Sequence, residues 1–487
     1  LAALFWRVPE VIVDASRYFT QAKYLELYGI EFFVREWGKA ILSWTDLPLV
    51  PFLYGLIFKF FGESRLFIQV VTTLLFSATI VLTSLIGKEL WDEETGLYGG
   101  ILLLGIPYLF VQVPLMLVDV PTMFFFTLAV FAFIRALGSK GTATILVSSV
   151  SLFLAFLSKY STWPMLSILV VIVFVFIKVQ GQGSVRHTIS RGVVTFLAAA
   201  LLAGVVIFCR FEVFSEQIKL LISYQRPGLG RWEESFISTF FFQVHPFITL
   251  SAIVSVWVAI RGRDPKYLII IWLPLLLMVF QVQRIRYTIP LFPMLTLMAS
   301  YGLQQIGDKD ARRFIASCIV MSSVVVALCA YLPFTQKMSA ANLRDAGGFL
   351  DTLDEKEIEV FTLLPKEPVV NPAVEVALLD LYTRKRIIYH GEFGAAPGRD
   401  IISSPLRFTW EYKNPSYYAV KDKPCDGEMA TVILSGEGGG DLPSALVQKL
   451  KNYREVIKFN ADEGVFEHKT FVSVYRQRVS ESGEKRH

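Results

Sequence analysis

The chain has 487 residues, of which 54% are hydrophobic and 18% are charged, and its mean hydropathy is +0.51. Soluble domains carry about 25% charged residues, so this balance indicates a membrane protein and excludes an ordinary soluble domain. The net charge of +5 is small and scattered, which argues against a nucleic-acid-binding protein. Four cysteines without a CxxC pair or a His/Cys cluster predict neither a disulfide framework nor a zinc-ribbon site.

The apolar residues gather in blocks long enough to cross a hydrocarbon core about 30 Å thick, which takes roughly 18 or more residues. Almost everything before residue 333 is therefore predicted to lie in the bilayer. The opening run LAALFW is interpreted as the end of a truncated first helix rather than a signal peptide. With that stub, the sequence predicts about eleven spans; the others are 66–87, 97–114, 120–136, 144–157, 162–177, 192–208, 237–260, 267–282, 288–306 and 314–332.

Short basic loops fall on one side of these spans, and the positive-inside tendency assigns that side to the cytoplasm. The loops are RALGSKG, KVQGQGSVRHTISRG, RGRDPK and GDKDARR. The extracytoplasmic face then holds the first long loop and everything after residue 333. Asp14, Asp119, Lys159 and Arg286 all fall on that face, and a single missed helix would scatter them.

The first outer loop, residues 7–65, is predicted to contain an amphipathic helix lying along the membrane interface between residues 13 and 38. Its apolar stripe consists of Tyr18, Ala22, Leu25, Tyr28 and Phe32. Asp14 stands at the N-cap or in the first turn, where the helix dipole favours a carboxylate, and Arg17 shares its face. The prolines of TDLPLVP place Asp46 in a turn. The alternative to a functional role for Asp14 and Arg17 is that they form only a local ion pair on a membrane-surface helix.

The tail changes in composition and alternates strand-like with helical runs. The strand-like runs are IEVFTLL, KRIIYH, TVILSG, EVIKF and TFVSVYRQ, and the helical runs are NPAVEVALLDLYTRK and DLPSALVQKLKNY. This order predicts a small extracytoplasmic α/β domain at 336–487, attached to an α-helical polytopic membrane domain at 1–335. The GEGGGD run lacks the residues of a P-loop and is interpreted as a plain loop rather than an anion-binding nest.

Further charged residues stand where predicted spans meet the outer face. Asp119, in PLMLVDVPTMFFF, is costly there unless it faces a cavity and finds a cation, although a helix cap is the simpler alternative. Lys159 either snorkels to the interface or meets a phosphate. Arg284, Arg286 and Tyr287 put basic charge on the side that the positive-inside tendency disfavours. That excess predicts an anionic partner such as a lipid phosphate, which arginine binds bidentately.

In their order along the chain, these elements resemble a known family. They are D-x-x-R-Y after the first span, an acidic-x-P element in the same loop, an outer-face Asp, a Lys-bearing turn and a late R-x-R-Y-x-x-P-x-x-P. The pattern resembles the polyprenyl-phosphate-dependent membrane glycosyltransferases of the GT-C fold, and most closely the protein mannosyltransferase-like branch that includes the lipid A aminoarabinose transferases. It covers about residues 1–335. It implies an integral, multi-pass enzyme that transfers a sugar with inversion from a polyprenyl-phosphate, such as a dolichyl phosphate, to an extracytoplasmic acceptor.

The resemblance implies catalytic roles for three carboxylates. Asp14 matches a catalytic base or acceptor-positioning group, Asp46 the acidic member of an acidic-Lys-Pro motif, and Asp119 a second carboxylate. No cofactor is predicted with certainty, but a divalent metal stays open, with Asp46 and Asp119 as candidate ligands. The family's metal-binding His has no convincing counterpart here, since His245 lies within a predicted span and is interpreted as a core histidine.

The resemblance also implies ligands for the carrier phosphate. Arg17 matches such a ligand, Lys159 lies in the Lys-bearing turn, and Arg286 and Tyr287 match the late Arg-Tyr element. Two positions depart from the pattern. Leu47 replaces a Lys of the aminoarabinose enzymes, so that one contact is absent or supplied by Lys159, Arg226 or Arg231. The common Glu after the first Asp is Ala15 here, which weakens assignment to any one sugar specificity.

The alternatives belong to other classes of protein. A multi-span lipid or solute transporter or flippase would also suit many spans with intramembrane charges, but would be expected to show inverted repeats and charges near the bilayer midplane. A purely structural anchor for the tail would not need outer-face carboxylates. The expected partners are the sugar donor, membrane lipid and a glycolipid, protein or polymer acceptor, and no nucleic acid. The sugar and the acceptor stay open.

Overall fold

The computed structural model of the chain describes residues 2–180, 185–226, 234–364, 370–393, 407–410, 415–419, 429–436, 442–464 and 468–478. Contacts between residues divide the chain into two compact units. The membrane unit comprises Leu1–Phe5, Arg35–Leu53 and Gln69–Leu332. The sheet unit comprises Trp6–Val34, Tyr54–Ile68 and Pro333–His487, so it takes in the tail together with most of the first outer loop.

Several helices are long and apolar enough to cross a bilayer. In the described ranges, five stretches meet this test: Arg65–Leu90, Asp119–Gly138, Thr162–Val179, Val185–Cys209 and Lys309–Lys337. Shorter apolar helices are Leu49–Phe61, Thr142–Ser158, Pro246–Gly262 and Tyr267–Phe280. Many of their large apolar side chains are exposed, including Leu201, Phe208 and Val279. An exposed apolar surface of this extent suits lipid. The chain is an integral membrane protein, and about eleven spans stays a prediction.

Several of the predicted continuous spans are interrupted in the structure, among them 97–114, 237–260 and 288–306. The helical segments that replace them are Glu93–Ile101, Leu102–Gly105 and Pro107–Gln112; Ser238–Val244 and Pro246–Gly262; and Ile285–Thr288, Ile289–Leu291 and Phe292–Leu303. Prolines stand at the beginning of the new segments, because proline lacks the N–H that continues a helix but fits its first turn. Hydropathy alone does not reveal these breaks.

The remaining helical elements before the tail are short or continue the spans. They are Ala2–Arg7, Ile12–Glu36, Thr162–Met165, Ile168–Gln180, Phe211–Leu220, Leu221–Gln225, Lys309–Val326, Ala327–Tyr331 and Leu332–Lys337. The opening apolar run, predicted to be a helix end, forms the 3₁₀ helix Ala2–Arg7.

Glycines allow two pairs of membrane helices to approach closely. A Cβ atom at Gly96 would lie 2.2 Å from the backbone oxygen of Ser84, and one at Gly302 would lie 2.3 Å from that of Ser251. No side chain fits at these distances, so glycine is what permits the contacts. The second contact packs helix Phe292–Leu303, which follows Arg286 in the chain, against Pro246–Gly262.

The predicted amphipathic helix is present as Ile12–Glu36, and Asp14 lies in its first turn as expected. The buried members of the predicted stripe are Tyr18, Ala22 and Leu25. Beyond them the predicted stripe is wrong: Tyr28 is exposed, and Phe33 is buried where Phe32 was expected. The cause is a kink at Gly29, whose φ of 86° shifts the helical register.

The tail forms a five-stranded sheet whose strands all match predicted runs. They are β1 Glu357–Leu363, β2 Arg386–Phe393, β3 Ala430–Ser435, β4 Tyr453–Phe459 and β5 Phe471–Gln477. The strand order is β2-β1-β3-β5-β4; β1 pairs in parallel with β2 and β3, whereas β5 pairs antiparallel with β3 and β4. The predicted α/β arrangement is confirmed.

Helices complete the sheet unit around this sheet. Both predicted helices are present, as Ala373–Tyr382 and Ser444–Lys449, while Ala341–Leu350 was not predicted. Short elements are Arg407–Trp410, Ser416–Tyr418 and Leu450–Asn452. The GEGGGD run lies outside the described residues apart from Gly436.

Candidate active site

The membrane unit contains a buried cluster of one carboxylate and two cations. Asp119 is 1% exposed; its Oδ1 accepts a hydrogen bond from Lys159 Nζ at 2.5 Å, and its Oδ2 accepts one from Arg286 Nε at 2.6 Å. The side chains of Lys159 and Arg286 are 18% and 11% exposed. The structure therefore brings together three predicted site residues that are up to 167 positions apart in sequence.

The ends of helices position each member of this cluster. Asp119 is the first residue of helix Asp119–Gly138, and Val118 rather than Asp119 is the N-cap residue. The sequence left open that Asp119 only caps this helix. In the structure its carboxylate instead bonds the two cations. Lys159 is the extended residue that ends helix Thr142–Ser158, and Arg286 lies in the short helix Ile285–Thr288. Each charged group stands at a helix end, where the backbone leaves the apolar span.

Aromatic and acidic neighbours complete the cluster. The Tyr287 ring lies 5.1 Å from Lys159 Nζ and 5.5 Å from Arg284 Cζ, so it carries cation–π contacts with two basic residues. Glu234 accepts a hydrogen bond from the backbone N–H of Ile285 at 2.8 Å. Tyr108 lies within electrostatic range of Arg286 and Asp119.

Asp46 occupies the turn that the sequence predicted. Its backbone N–H donates to the Ser43 oxygen at 2.7 Å, and the side chain is 7% exposed. Gln217 Nε2 donates to the Asp46 backbone oxygen at 2.9 Å and its Oε1 accepts from Tyr160 OH. Burial, and then the nearby Asp46 carboxylate, raise the pKa of Tyr160 above its ordinary value. Asp46 therefore belongs to a buried polar group with Gln217 and Tyr160, and Tyr160 follows Lys159 in the chain.

Asp14 and Arg17 lie in the sheet unit, on helix Ile12–Glu36. Both are half-buried, three residues apart, and the Arg17 guanidinium lies 5.7 Å from the Tyr18 ring centre. Their sequence spacing puts them on one face of the first two turns, as predicted. Asp14 also gains from its first-turn position, because the helix dipole stabilises negative charge there.

Asp119 does not fit a metal centre. Both oxygens of Asp119 already bind the nitrogens of Lys159 and Arg286, and a divalent ion prefers carboxylates free of such cations. Among the described residues, no group of three His, Cys, Asp or Glu side chains is arranged to hold a metal ion. His245 is buried, and its Nε2 lies 3.0 Å from Ser322 Oγ, as expected of a core histidine. Arg231 lies outside the described residues, and Arg226 is exposed.

Sequence reasoning missed a second charged cluster, in the sheet unit. Lys23 donates to Asp380, lies 3.0 Å from Glu63 and is surrounded by the rings of Phe19, Tyr417 and Tyr418 at 5.4 to 5.7 Å. Burial would lower the pKa of Lys23, but the neighbouring Asp380 carboxylate raises it, and the net direction is upward. The available signal was the position of Lys23, four residues after buried Phe19 on the same helix face.

This cluster predicts a pH dependence. Burial, and then the Asp380 carboxylate, raise the pKa of Glu63 to about 8, so its carboxyl group is protonated in the folded protein at neutral pH. The unfolded chain loses this proton near the ordinary value, so stability is present at low pH and falls as pH rises towards about 8. Glu63→Gln is expected to flatten this fall. Hydrogen exchange of helices Ile12–Glu36 and Ala373–Tyr382 between pH 5 and 9 measures it.

The matched control is Glu463→Gln, which changes a half-exposed glutamate of the same unit. It should keep the wild-type dependence on pH. An unchanged alkaline loss of protection in Glu63→Gln would show that another group carries the effect.

Part of the chain matches a family of membrane glycosyltransferases. Residues 46–208 match the family model described as dolichyl-phosphate-mannose-protein mannosyltransferase, and this segment includes Asp46, Asp119 and Lys159. The match confirms the family resemblance predicted from the sequence.

Solved structures agree on the fold. The chain is similar to ArnT from Cupriavidus metallidurans bound to undecaprenyl phosphate, with 13% identity over 97% of this chain and 96% of that one and a TM-score of 0.56. The apo form of the same protein gives 13% identity, the same coverage and a TM-score of 0.54. At this identity the likeness shows the fold, and the predicted GT-C-like fold is confirmed. No curated protein sequence matches the chain.

Proposed function

We propose that this protein transfers a sugar from a polyprenyl-phosphate donor to an acceptor on the extracytoplasmic face of the membrane, with inversion at the anomeric carbon. The observation that carries the proposal is the buried contact of Asp119 with both Lys159 and Arg286. The family match and the GT-C fold support the same class of enzyme.

The charge of the cluster suits an anionic ligand. Lys159 and Arg286 share the carboxylate of Asp119, and Arg284 lies against the Tyr287 ring beside them. A partly buried group of cations attracts an anion strongly because the local dielectric is low. A carrier phosphate, delivered at headgroup depth by its lipid chain, meets this need. The undecaprenyl phosphate bound by the similar ArnT structure supports this ligand class.

In the reaction, the acceptor oxygen attacks the anomeric carbon while the bond from that carbon to the phosphate oxygen breaks. The phosphate leaves with the electron pair, and Lys159 and Arg286 stabilise its charge beside Tyr287. The family resemblance adds Arg17 as a phosphate ligand and assigns the proton of the acceptor hydroxyl to Asp14. No step requires a metal ion, in keeping with the donor set around Asp119.

Asp119 has a positioning role in this proposal. Both of its oxygens bind cations that are themselves largely buried, so its carboxylate is less suited to take a proton than to hold Lys159 and Arg286 in place. Asp46 fixes the turn before Leu49–Phe61 and the polar group of Gln217 and Tyr160.

A transporter is less favoured than a transferase. The charges of the cluster stand at helix ends rather than near the middle of spans, and the family match is to a transferase. The orientation that follows from the basic loops places Asp14, Asp119 and the sheet unit on the extracytoplasmic face. Labelling of single cysteines introduced at these positions from either side of the membrane tests that orientation.

The direct test is transfer itself. Membranes containing the protein are incubated with radiolabelled polyprenyl-phosphate sugars, and the labelled product is identified as glycolipid, protein or polymer. Transfer of label from one donor, lost in membranes without the protein, is the expected result. If no lipid-linked sugar transfers label and the protein instead moves the intact donor across the bilayer, the transporter is the correct class.

The proposed phosphate contact predicts the kinetics of Arg286→Ala. Loss of a charged hydrogen bond costs about 1.5–3 kcal/mol, so the carrier concentration at half-maximal rate should rise about tenfold or more. Steady-state kinetics with varied donor measures this change. Arg286→Lys should recover part of it, and Arg313→Ala, at an exposed arginine, should leave it unchanged. An unaltered donor dependence in Arg286→Ala would rule out the phosphate role.

A further inference from the structure

The membrane unit has a pocket at the opposite end of helix Phe292–Leu303 from Arg286. Its volume is about 430 Å³, and its lining residues are Trp257, Val258, Arg261, Gly262, Tyr301 and Gln305. The helix between the two places is about 18 Å long, at 1.5 Å per residue. The pocket is therefore separate from the Asp119 cluster and plays no part in the proposed transfer.

Arg261 gives this pocket a positive charge without a compensating carboxylate. Its guanidinium lies 5.4 Å from the Trp257 ring centre, and within the described part of the chain no acidic side chain pairs with it. Arg261 is exposed, and its cation–π contact with Trp257 leaves the guanidinium N–H groups available to other partners. Such a guanidinium can donate to a phosphate in the bidentate geometry that arginine favours.

The nearest acidic residue in sequence, Asp264, accepts hydrogen bonds from three groups other than Arg261. Its Oδ2 accepts hydrogen bonds from Trp91 Nε1 at 2.6 Å and from Tyr301 OH at 3.2 Å, and its Oδ1 accepts one from the backbone N–H of Lys266 at 2.9 Å. The Tyr301 ring also packs against Trp91 at 5.1 Å. These bonds fix the loop that follows helix Pro246–Gly262. The Asp264 carboxylate is thus engaged by groups other than Arg261, which can bind an external anion.

The rim of the pocket is suited to lipid rather than to a soluble anion. Trp257 is 61% exposed, and neighbouring Ile260 and Ile253 are 72% and 55% exposed on the same helix. Exposed aliphatic side chains fit acyl chains, and tryptophan prefers the level of the lipid headgroups.

We infer that this pocket binds the phosphate headgroup of an anionic phospholipid, in the leaflet that the basic loops assign to the cytoplasm. Arg261 binds the phosphate, Trp257 orients Arg261 and packs against the glycerol region, and the exposed isoleucines contact the chains. Basic pockets between membrane helices on the cytoplasmic side are a known setting for such headgroups. The site is independent of the transfer reaction and binds a lipid that is not consumed.

The test uses the full-length protein in detergent and native mass spectrometry with added phosphatidylglycerol or phosphatidylcholine of the same chains. Wild type should hold one phosphatidylglycerol about tenfold more tightly than phosphatidylcholine, because the choline cation of phosphatidylcholine offsets the attraction of Arg261 for the phosphate. Arg261→Gln should remove that preference. Arg263→Gln, which removes the same charge from the same loop, should keep it.

Three outcomes would overturn the inference. One is equal binding of the two lipids by wild type, and another is an unchanged preference in Arg261→Gln. The third is displacement of phosphatidylglycerol by millimolar inorganic phosphate, which would mark a soluble-anion site. If Arg261→Gln does not fold, Arg261→Lys decides. It keeps the charge but not the bidentate geometry, so its preference for phosphatidylglycerol should be weaker than that of wild type but still present.

Discussion

Asp14→Asn is expected to reduce sugar transfer about 10²–10⁴-fold, the range typical for loss of general-base catalysis, while the protein stays folded and inserted. Asparagine is nearly isosteric with aspartate and is accepted in the first turn of a helix, so helix Ile12–Glu36 should form as before. It cannot take a proton from the acceptor hydroxyl. Single-turnover transfer from a radiolabelled donor measures the chemical step separately from binding.

One comparison makes this result specific to the base. Asp310→Asn replaces another aspartate in the first turn of a helix, one that is exposed, and should transfer at the wild-type rate. Wild-type turnover by Asp14→Asn would refute the base assignment.

Asp119→Asn is expected to destabilise the membrane unit by ~3–5 kcal/mol, the usual cost of removing one partner of a buried ion pair. Asp119 is 1% exposed and is bound by two cations, so the variant leaves Lys159 and Arg286 largely buried without their shared counter-charge. Denaturant unfolding in detergent, followed by circular dichroism, measures the difference. A cost below about 1 kcal/mol would show that the cations relax to other partners or to water.

Removing one cation in the same background should relieve part of this cost. Lys159→Met in the Asp119→Asn protein takes away an uncompensated charge, so the double variant should be more stable than the sum of the single effects predicts. Kinetics separate a positioning role from a catalytic one. If Asp119 acts by holding the cations, Asp119→Asn should raise the donor concentration required more than it lowers the maximal rate.

Much of the candidate site follows from charge placed against hydropathy. Asp119, Lys159 and Arg286 each interrupt or border an apolar run, where an ionisable group is costly, and that cost is visible in the sequence. The partners of each group are not visible. Asp119 lies 40 residues from Lys159 and 167 from Arg286, and only folding shows that one carboxylate serves both.

The Lys23 cluster shows why some charged residues escape sequence reasoning. Lys23 lies in an amphipathic helix, where a lysine ordinarily faces water, and Asp380 lies in a tail helix of ordinary composition. Their contact joins residues 357 positions apart. The local sequence pattern carries no information about such a pairing, because a buried lysine is stabilised by a carboxylate from a distant segment.

By itself, the sequence determined that the protein lies in a membrane, that its tail is an α/β sheet and that Asp14 begins an amphipathic helix. These features depend on local composition and periodicity, which a continuous stretch of chain displays. The tertiary structure alone decided where proline interrupts the spans, that Gly29 changes the buried face of the first helix, and that Asp119 is shared by two cations. Each of these depends on backbone geometry or on contacts between distant segments, where hydrogen-bond satisfaction and burial outweigh local preference.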